Sequence, residues 1–205
     1  MGVKERKALE RQNRKNQILD AARSLLFSSG IDNVSINKIS KQAELGVGTI
    51  YFYFKNKEQI FTALQEEGLA LLFSIILKIS KTNVSHEEKL RKIALSYYAF
   101  SKEHKNYFDL INYFLSSPIV FFEPDLKNQI DMSGNKILLI IQNIVDDGIK
   151  QKIFQEDDPR KFSIMFWGTL HGLIHFKKLE KTVLENQSHE EIYEYSVEKL
   201  IYSIK

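Results

Sequence analysis

Apolar side chains recur every three or four residues along most of this 205-residue chain, which is the spacing of one face of an α-helix. Proline, which interrupts helices, occurs only at Pro118, Pro124 and Pro159. No alternating β-branched run is bounded by Asn-Gly or Asp-Gly turns, the sequence signal of a hairpin. The pattern therefore predicts an all-α fold of about nine helices.

Caps and helix-stopping residues mark the limits of the predicted helices. The first spans about 13–29 and ends at Gly30, which we expect in the left-handed conformation. Ser35 caps a short second helix, the third begins near Gly46, and Asn56 caps a fourth of about six turns. The later helices are predicted at 86–104, 107–116, 125–150, 159–182 and 189–204, with a loop over Ser117–Asp125. Asp158, followed by Pro159, and Ser188 are the predicted caps of the last two helices.

Charge and aromatic residues are distributed unevenly. The whole chain carries a net charge of +3, but residues 1–60 contain eleven Lys or Arg against six Asp or Glu, a net of +5. Residues 61–205 carry a net of −2, and of the aromatic residues only Phe27 precedes residue 51. We therefore expect a small basic domain, 1–60, followed by a larger aromatic-rich domain, 61–205.

Several classes of protein are disfavoured by what the sequence lacks. Without cysteine there is no disulfide framework and no thiol nucleophile. No G-x-S-x-G, Walker or H-E-x-x-H motif is present, so we expect no enzyme and no cofactor. The charged N-terminus has no apolar leader, and the longest apolar stretch, Leu69–Leu77, is too short to span a bilayer. A cytoplasmic protein without membrane contact is expected.

Residues 35–54 have the dimensions of a helix-turn-helix, with the turn at Glu44-Leu45. Small residues are needed where the two helices cross, and we expect Ala43 and Gly48 to supply them. The second helix would then present one face to the major groove of DNA, which is about 12 Å wide. The expected exposed face consists of Val47, Thr49, Tyr51, Phe52 and Tyr53.

Basic residues flank this motif on both sides. Lys55 and Lys57 stand at the start of the fourth predicted helix, where an ammonium and free backbone N–H groups can share a phosphate. A basic arm is expected ahead of the first helix, able to add contacts to the DNA backbone. Its members are Lys4, Arg6, Lys7, Arg11, Arg14 and Lys15.

Two other interpretations of this segment compete with the helix-turn-helix. Gly46-Val47-Gly48 is similar to the start of the nucleotide-binding pattern G-x-G-x-x-G, but no strand precedes it and Tyr51 occupies the position of the third glycine. The other interpretation is an ordinary three-helix core with a mildly basic face. The helix-turn-helix is favoured over both.

The segment ILDAARSLLFSSGIDNVSINKISKQAELGVGTIYFYFKNKEQIF resembles the N-terminal domain of the TetR family of bacterial transcriptional regulators. The similarity covers about residues 12–61 closely, and GTIYFYFKNKE is its most specific part. It implies DNA contacts from the exposed face and from Lys57, with Tyr51 and Lys57 near phosphates and Val47 and Phe52 near base edges. Arg14, Ser35, Gly46, Gly48 and Lys55 complete the set of DNA-contact candidates.

Three residues depart from the family pattern. Glu44 replaces the usual turn glycine, which suggests a turn without a left-handed residue there. Gly46 replaces a capping serine, and Val47 replaces a commonly polar or basic residue. The last two favour base recognition by apolar contact, for example with a thymine methyl group.

The resemblance also implies a homodimer. Each helix-turn-helix binds one half-site, and the two half-sites of an inverted-repeat operator lie roughly 34–36 Å apart. The last two helices form the interface in the family. Gly168 and Gly172 are four residues apart and allow close approach of a partner helix, with Ile192 and Leu200 as further interface candidates. Internal helix packing is the alternative role for these small residues.

Aromatic residues of the larger domain suggest a pocket for a small effector, although core packing is the alternative for each of them. His171 and His175 have the i, i+4 spacing of metal ligands, but without further ligands we expect no metal. The effector candidates are Phe100, Tyr107, Phe108, Phe114, Phe121, Phe122, Phe166, Trp167, His171 and His175.

These observations support a TetR-like DNA-binding regulator, acting as a repressor that a small lipophilic or aromatic effector releases from its operator. The helix from Lys57 to about Lys81 would join the effector pocket to the DNA-binding motif. The alternative is a regulator of the same fold that responds to a protein partner.

Overall fold

The structure is a computed structural model that describes residues 2–116, 124–184 and 187–205. Over these residues it contains nine α-helices, two short 3₁₀ helices and no β-strand, which confirms the all-α prediction. The α-helices are α1 (Val3–Ser29), α2 (Ile36–Gln42), α3 (Val47–Tyr53), α4 (Lys57–Ser80), α5 (His86–Glu103), α6 (Lys105–Ser116), α7 (Pro124–Lys150), α8 (Pro159–His175) and α9 (His189–Tyr202).

The described residues form two compact units. Unit 1 comprises those within 1–69 and 105–130, so α6 belongs with the N-terminal helices rather than with the helix that precedes it. Unit 2 comprises those within 70–104 and 131–205. The functional boundary after residue 60 stays a prediction, because compactness alone assigns no function.

A continuous apolar core fills unit 1. α1 packs against α2, and α2 packs against α3. Leu110 of α6 is completely buried in this same core. The other buried members are Ile18, Ala21, Ala22, Leu26, Val34, Ile39, Ala43, Ile50, Phe54, Ile60, Phe61 and Leu64.

Large aromatic side chains fill unit 2, where α5 packs against α8 and α9 and these two helices pack against each other. Phe100 of α5 and Phe166 of α8 are almost completely buried. Tyr193 of α9 is also buried, and its hydroxyl donates to the backbone oxygen of Ala94 at 2.9 Å, so the one polar atom of the ring has a partner.

Side-chain caps begin the helices where the sequence predicts them. The Ser35 hydroxyl accepts from the backbone N–H of Lys38, and Asn56 Oδ1 accepts from that of Gln59 at 2.9 Å. Asp158 caps α8 ahead of a proline at the first helical position. These caps are confirmed, and so is Ser188, which caps α9.

The predicted ends of three segments are wrong. α1 begins at Val3 rather than near residue 13, so the expected basic arm is the first part of this helix. α8 ends at His175, and a 3₁₀ helix over Phe176–Leu179 follows it. Of the predicted loop over 117–125, residues 117–123 lie outside the described residues and the last two begin α7.

Two turn residues have unexpected backbone angles. Gly30 has the positive φ that was predicted, at 75°, but its ψ of 168° lies outside the left-handed helical region, in a region that only glycine populates readily. Glu44 has a φ of 54°, so the expectation of a turn without a left-handed residue is wrong. The turn between α2 and α3 keeps this conformation without a glycine, at a cost of about 1–2 kcal/mol.

α4 is the one helix within the described residues that is long and apolar enough to cross a membrane. The apolar stretch noted in the sequence is therefore part of a longer apolar helix. Half of its most apolar 18-residue stretch is buried inside the structure. A single helix of this kind is a weak indication of a membrane span, because core helices meet the same criterion.

Replacing Glu44 by glycine is expected to raise the free energy of unfolding by about 1 kcal/mol, because glycine adopts a positive φ without a Cβ clash. Urea unfolding followed by circular dichroism measures the change.

Glu44→Ala is the matched control, since it removes the same charge but keeps the Cβ. Its free energy of unfolding should stay within about 0.5 kcal/mol of the unmodified protein. An equal increase in the free energy of unfolding of Glu44→Gly and Glu44→Ala would show that the charge of Glu44, rather than its backbone conformation, limits stability at this turn.

Candidate functional site

α3 is a seven-residue helix anchored on one side by buried residues. Ile50 is completely buried and Phe54, directly after the helix, is nearly so. The opposite side is open to solvent, with Val47, Tyr51 and Phe52 exposed by 37%, 51% and 74%. An apolar face this exposed on a short anchored helix is suited to contact with another molecule.

The exposed face differs in three residues from the predicted one. Tyr53 is half-buried and packs against the core of unit 1, and its ring meets that of Phe52 edge-on at 5.0 Å. Thr49 is also half-buried. Gly48 does not lie at the crossing of α2 and α3 as expected, because it is exposed and a Cβ built on it would meet nothing within 4 Å. Ala43 does lie buried beside α3.

Polar and basic candidates surround this face. Lys55 is exposed, and Lys57, the first residue of α4, is half-buried with Nζ 5.1 Å from the centre of the Phe61 ring. Arg14 of α1 donates to Gln17, which donates in turn to the backbone oxygen of Ala43 at 2.8 Å. This chain of hydrogen bonds fixes α1 against the end of α2.

Ser35 and Gly46 are the N-caps of α2 and α3. Ser35 is half-buried and its hydroxyl is engaged in capping, whereas Gly46 is exposed and offers no side-chain cap. Unit 1 therefore brings all eleven DNA-contact candidates into the same compact body, on α1, α2, α3 and the start of α4.

A partly buried ionic network ties three helices of unit 1 together. Arg23 of α1 donates from Nε and Nη2 to the two carboxylate oxygens of Glu67 on α4, at 2.9 and 2.8 Å. The Tyr107 hydroxyl of α6 donates to the same carboxylate at 3.1 Å. The carboxylate raises the pKa of the Arg23 guanidinium, so the pair stays ionised.

Tyr107 also fits closely against its neighbours. Its ring meets that of Phe27 edge-on at 5.2 Å. A Cβ built on Gly68 would lie 2.8 Å from the Cβ of Tyr107, so only glycine allows α4 and α6 to approach this closely. Burial first, then the Glu67 charge, raises the pKa of Tyr107. No sequence signal marks this network, since its members lie 44 and 40 residues apart.

The effector candidates are divided between the two units. Tyr107, Phe108 and Phe114 belong to unit 1, where Phe108 is buried and Phe114 packs against the core. Phe100, Phe166, Trp167, His171 and His175 belong to unit 2. Phe121 and Phe122 lie outside the described residues.

Half-buried residues on one side of α8 form a polar and aromatic cluster in unit 2. His171 Nδ1 lies 2.7 Å from the hydroxyl of the buried Tyr97, whose ring packs against that of Trp167 at 4.2 Å. The ring of His175 meets that of His171 at 5.1 Å. Burial, with a contribution from His175, lowers the pKa of His171, so this imidazole is neutral at pH 7.

The metal-binding interpretation of the two histidines gains no support. Among the residues that the structure describes, no group of three or more potential ligands from His, Cys, Asp and Glu is close enough to hold a metal ion. Two imidazoles alone are too few for the usual protein metal sites.

The dimer candidates of α8 face open space. A Cβ built on Gly168 or Gly172 would meet nothing within 4 Å, so within the described residues these glycines serve no close internal packing. Ile164 and Met165 of the same helix are about half exposed. Ile192 and Leu200 of α9 are half-buried.

An all-α fold with an exposed second helix in a helix-turn-helix defines a class of DNA-binding proteins. Residues 18–64 match the family model described as "Bacterial regulatory proteins, tetR family", and residues 90–200 match the one described as "Tetracyclin repressor-like, C-terminal domain". The second match alone spans more than half of the chain. The chain belongs to the TetR family and is a DNA-binding transcriptional regulator, not an enzyme.

Similar proteins include regulators of fatty acid metabolism. The chain is 28% identical over 155 residues to the "Fatty acid metabolism regulator protein" of Bacillus subtilis (strain 168), covering 75% of this chain and 78% of that protein. Its fold is similar to that of FadR from Bacillus subtilis in complex with stearoyl-CoA, with a TM-score of 0.71, 24% identity and coverage of 92% and 98%. AibR in complex with isovaleryl coenzyme A and operator DNA gives 0.68 at 18% identity, with the same coverage.

Tyr107→Phe is expected to lower the free energy of unfolding by about 1 kcal/mol, because the Glu67 carboxylate loses one hydrogen bond while the ring packing remains. Thermal unfolding followed by circular dichroism gives the change. Arg23→Met should cost more, because it removes two charge-assisted bonds from the same carboxylate.

Tyr113→Phe is the matched control on the same helix. The Tyr113 ring meets that of Phe61 at 6.1 Å, but its hydroxyl has no hydrogen-bond partner among the described residues. Its removal should leave stability unchanged. Equal losses in the two tyrosine variants would contradict the assigned role of the Tyr107 hydroxyl.

Proposed function

We propose that this regulator is a repressor and that a long-chain acyl thioester, such as an acyl-CoA, releases it from its operator. The likeness to a fatty acid metabolism regulator over three quarters of the chain is the observation that carries the effector class. Two structural relatives are described in complex with acyl-CoA molecules, one of them together with operator DNA. The apolar and aromatic character of unit 2 is compatible with an acyl chain.

The proposed DNA interface is centred on the exposed face of α3. Val47 and Phe52 meet base edges in the major groove by apolar contact, and Tyr51 contacts a phosphate. Gly48 adds no side chain to this face, so the duplex can approach the helix backbone. Arg14, Ser35, Gly46, Thr49, Tyr53, Lys55 and Lys57 supply the surrounding contacts.

The proposed active form is a homodimer that binds an inverted repeat. A single helix-turn-helix covers one half-site, and stable specific binding needs two half-sites about one helical turn or more apart. The open space beside Gly168 and Gly172, together with the exposed Ile164 and Met165, supports a helix-to-helix contact through α8. Ile192 and Leu200 extend the same proposal to α9.

The proposed mechanism is a shift between two populations of the dimer. The effector binds more tightly to a state in which the two α3 helices are wrongly spaced for the operator. A coupling free energy of about 1–3 kcal/mol between the two sites is typical of such regulators. The protein would act in the cytoplasm, where the DNA and acyl thioesters are found, and needs no cofactor.

A protein partner in place of a small effector is the second candidate. The almost complete burial of Phe100, Phe108 and Phe166 favours it, because aromatic residues that only fill a core leave no room for a ligand. The two candidates differ in whether purified protein binds an acyl thioester at all.

Lys57→Ala and Phe52→Ala should affect DNA binding in different ways. Removal of a phosphate-binding lysine weakens binding to all duplexes alike and makes the slope of log affinity against log salt concentration shallower by about 0.9. Removal of a base-reading side chain changes the preference among operator variants instead. Fluorescence anisotropy at several salt concentrations, with a duplex selected from random sequence and its single-base variants, measures both effects.

Lys78→Ala is the matched control for charge, since Lys78 is an exposed lysine in the last turn of the same helix as Lys57. It should change neither the affinity nor its salt dependence. Equal salt dependence for Lys57→Ala and the unmodified protein would show that Lys57 does not contact a phosphate. An unchanged preference of Phe52→Ala among operator variants would show that Phe52 does not contact base edges.

Palmitoyl-CoA is expected to weaken operator binding by roughly 5- to 150-fold, the range that a coupling of about 1–3 kcal/mol allows. The same anisotropy assay, repeated with increasing palmitoyl-CoA and with coenzyme A as control, measures the shift. Binding of palmitoyl-CoA without any change in operator affinity would contradict the proposed release. Absence of binding would favour the protein-partner candidate.

A further inference from the structure

Arg160, the second residue of α8, has an incompletely satisfied guanidinium in unit 2. Its Nη2 donates to Asn135 Oδ1 of α7 at 2.6 Å. Its Nη1 is buried and has no hydrogen-bond partner among the described residues. Among the residues that the structure describes, no carboxylate forms an ion pair with Arg160.

Arg14, which is also half-buried, donates to the neutral amide of Gln17, but no buried nitrogen of it is left without a partner. Two further half-buried arginines are paired with carboxylates. Arg23 and Arg91 each present two guanidinium nitrogens to the two oxygens of one carboxylate, Glu67 and Glu198 respectively. A guanidinium matches carboxylate and phosphate oxygens in this two-pronged way, and leaving a buried charged donor unpaired is costly. The neutral amide of Asn135 satisfies only part of Arg160, and the remaining donor fits an anion from outside the chain.

The acidic residue nearest in sequence is already engaged. Asp158 Oδ1 accepts from the backbone N–H groups of Arg160 and Lys161 as the cap of α8. Its Oδ2 lies 3.2 Å from Lys161 Nζ. These contacts lower the pKa of the carboxyl group, so it stays ionised as a cap and leaves the Arg160 guanidinium uncompensated.

Arg160 also shares one side of α8 with the polar and aromatic cluster. Trp167 and His171 follow it by seven and eleven residues, which is two and three turns of an α-helix, and all three side chains are half-buried. The row is about 16 Å long at 1.5 Å per residue. A cation lies at one end of this row, and an indole and an imidazole–phenol pair lie toward the other end. This arrangement is complementary to an elongated ligand with one anionic group at one end.

We propose that Arg160, with Asn135 beside it, anchors the anionic group of the effector, and that the body of the ligand extends along α8 past Trp167. This inference rests on the proposed acyl effector and adds the contact that orients it. The chemistry is that of an oxyanion, which in an acyl-CoA is a phosphate and in a free fatty acid is a carboxylate. In this proposal, the main role of Arg160 is to determine ligand specificity rather than to stabilise the fold.

Trp167, the only tryptophan of the chain, provides the measurement, since its fluorescence reports binding next to the proposed site. Titrations with palmitoyl-CoA, palmitate and S-palmitoyl-pantetheine compare a phosphate, a carboxylate and a ligand without an anionic group. Arg160→Met should weaken binding of at least one anionic ligand by about tenfold or more, the loss expected for a charge-assisted hydrogen bond. Binding of S-palmitoyl-pantetheine should not change.

Lys161→Met is the matched control, because it removes the same charge one residue along the helix from a side chain that is 84% exposed. It should leave all three affinities unchanged. Arg160→Lys, which keeps the charge but not the two-pronged geometry, should give an intermediate loss and serves as the second variant if Arg160→Met does not fold. The melting temperature of ligand-free Arg160→Met should change little, because loss of the hydrogen bond to Asn135 is offset by removal of a buried guanidinium nitrogen that has no partner.

The outcomes separate this inference from the proposed function. If the unmodified protein binds none of the three ligands, the acyl effector is wrong. If it binds them and Arg160→Met binds as tightly as Lys161→Met, Arg160 is not the anchor. A lower melting temperature with unchanged affinities would overturn the inference in favour of a structural role. Selective loss of palmitoyl-CoA or of palmitate binding supports it and identifies the anion as phosphate or carboxylate.

Discussion

The carboxylate of Glu67 is the point at which three helices of unit 1 meet. Both of its oxygens accept hydrogen bonds from Arg23 of α1, and one accepts a further bond from Tyr107 of α6. About a third of each charged side chain remains exposed, so the network is partly screened rather than deeply buried. The network fixes α6 to α1 and α4, the helices that precede and follow the DNA-binding motif in the chain, and the adjacent Gly68 lets the Tyr107 ring lie directly on α4.

Element boundaries could be predicted from the sequence where a local signal marks them. Ser35, Asn56, Asp158 and Ser188 each begin a helix because a side-chain oxygen close in sequence satisfies a free backbone N–H group. The first ten residues of α1 have no periodicity that would predict a helix, because they are exposed and have no apolar face. Their Lys, Arg, Glu, Ala and Leu side chains favour the helix through intrinsic propensity instead.

The placement of side chains across the fold could not be predicted in the same way. Tyr107 and Phe100 are both aromatic and close in sequence, which predicts a shared pocket, yet the chain turns at His104 and the two belong to different units. Which partner an aromatic ring meets depends on contacts between residues far apart in the chain, and a single sequence does not contain them. On α3, the exposure of Val47, Tyr51 and Phe52 could be predicted, because a seven-residue helix with Ile50 buried has few orientations available. The partial burial of Thr49 and Tyr53 could not, because it depends on neighbouring parts of the fold.

In the proposed mechanism, the same network limits how the binding of an effector can be transmitted to α3. Residues 57–69 of α4 and the described part of α6 belong to unit 1, whereas residues 70–80 of α4 belong to unit 2, so one continuous helix is shared by both units. An effector that displaces α6 from α1 must break the Tyr107–Glu67 bond or carry Arg23 along with it. This hydrogen bond contributes about 1 kcal/mol, which is the lower end of the range of about 1–3 kcal/mol that is typical of a coupling free energy between two sites. In the proposed mechanism, a contact of that strength holds unit 1 in one arrangement in the absence of ligand and is still weak enough to be broken by the binding energy of an effector.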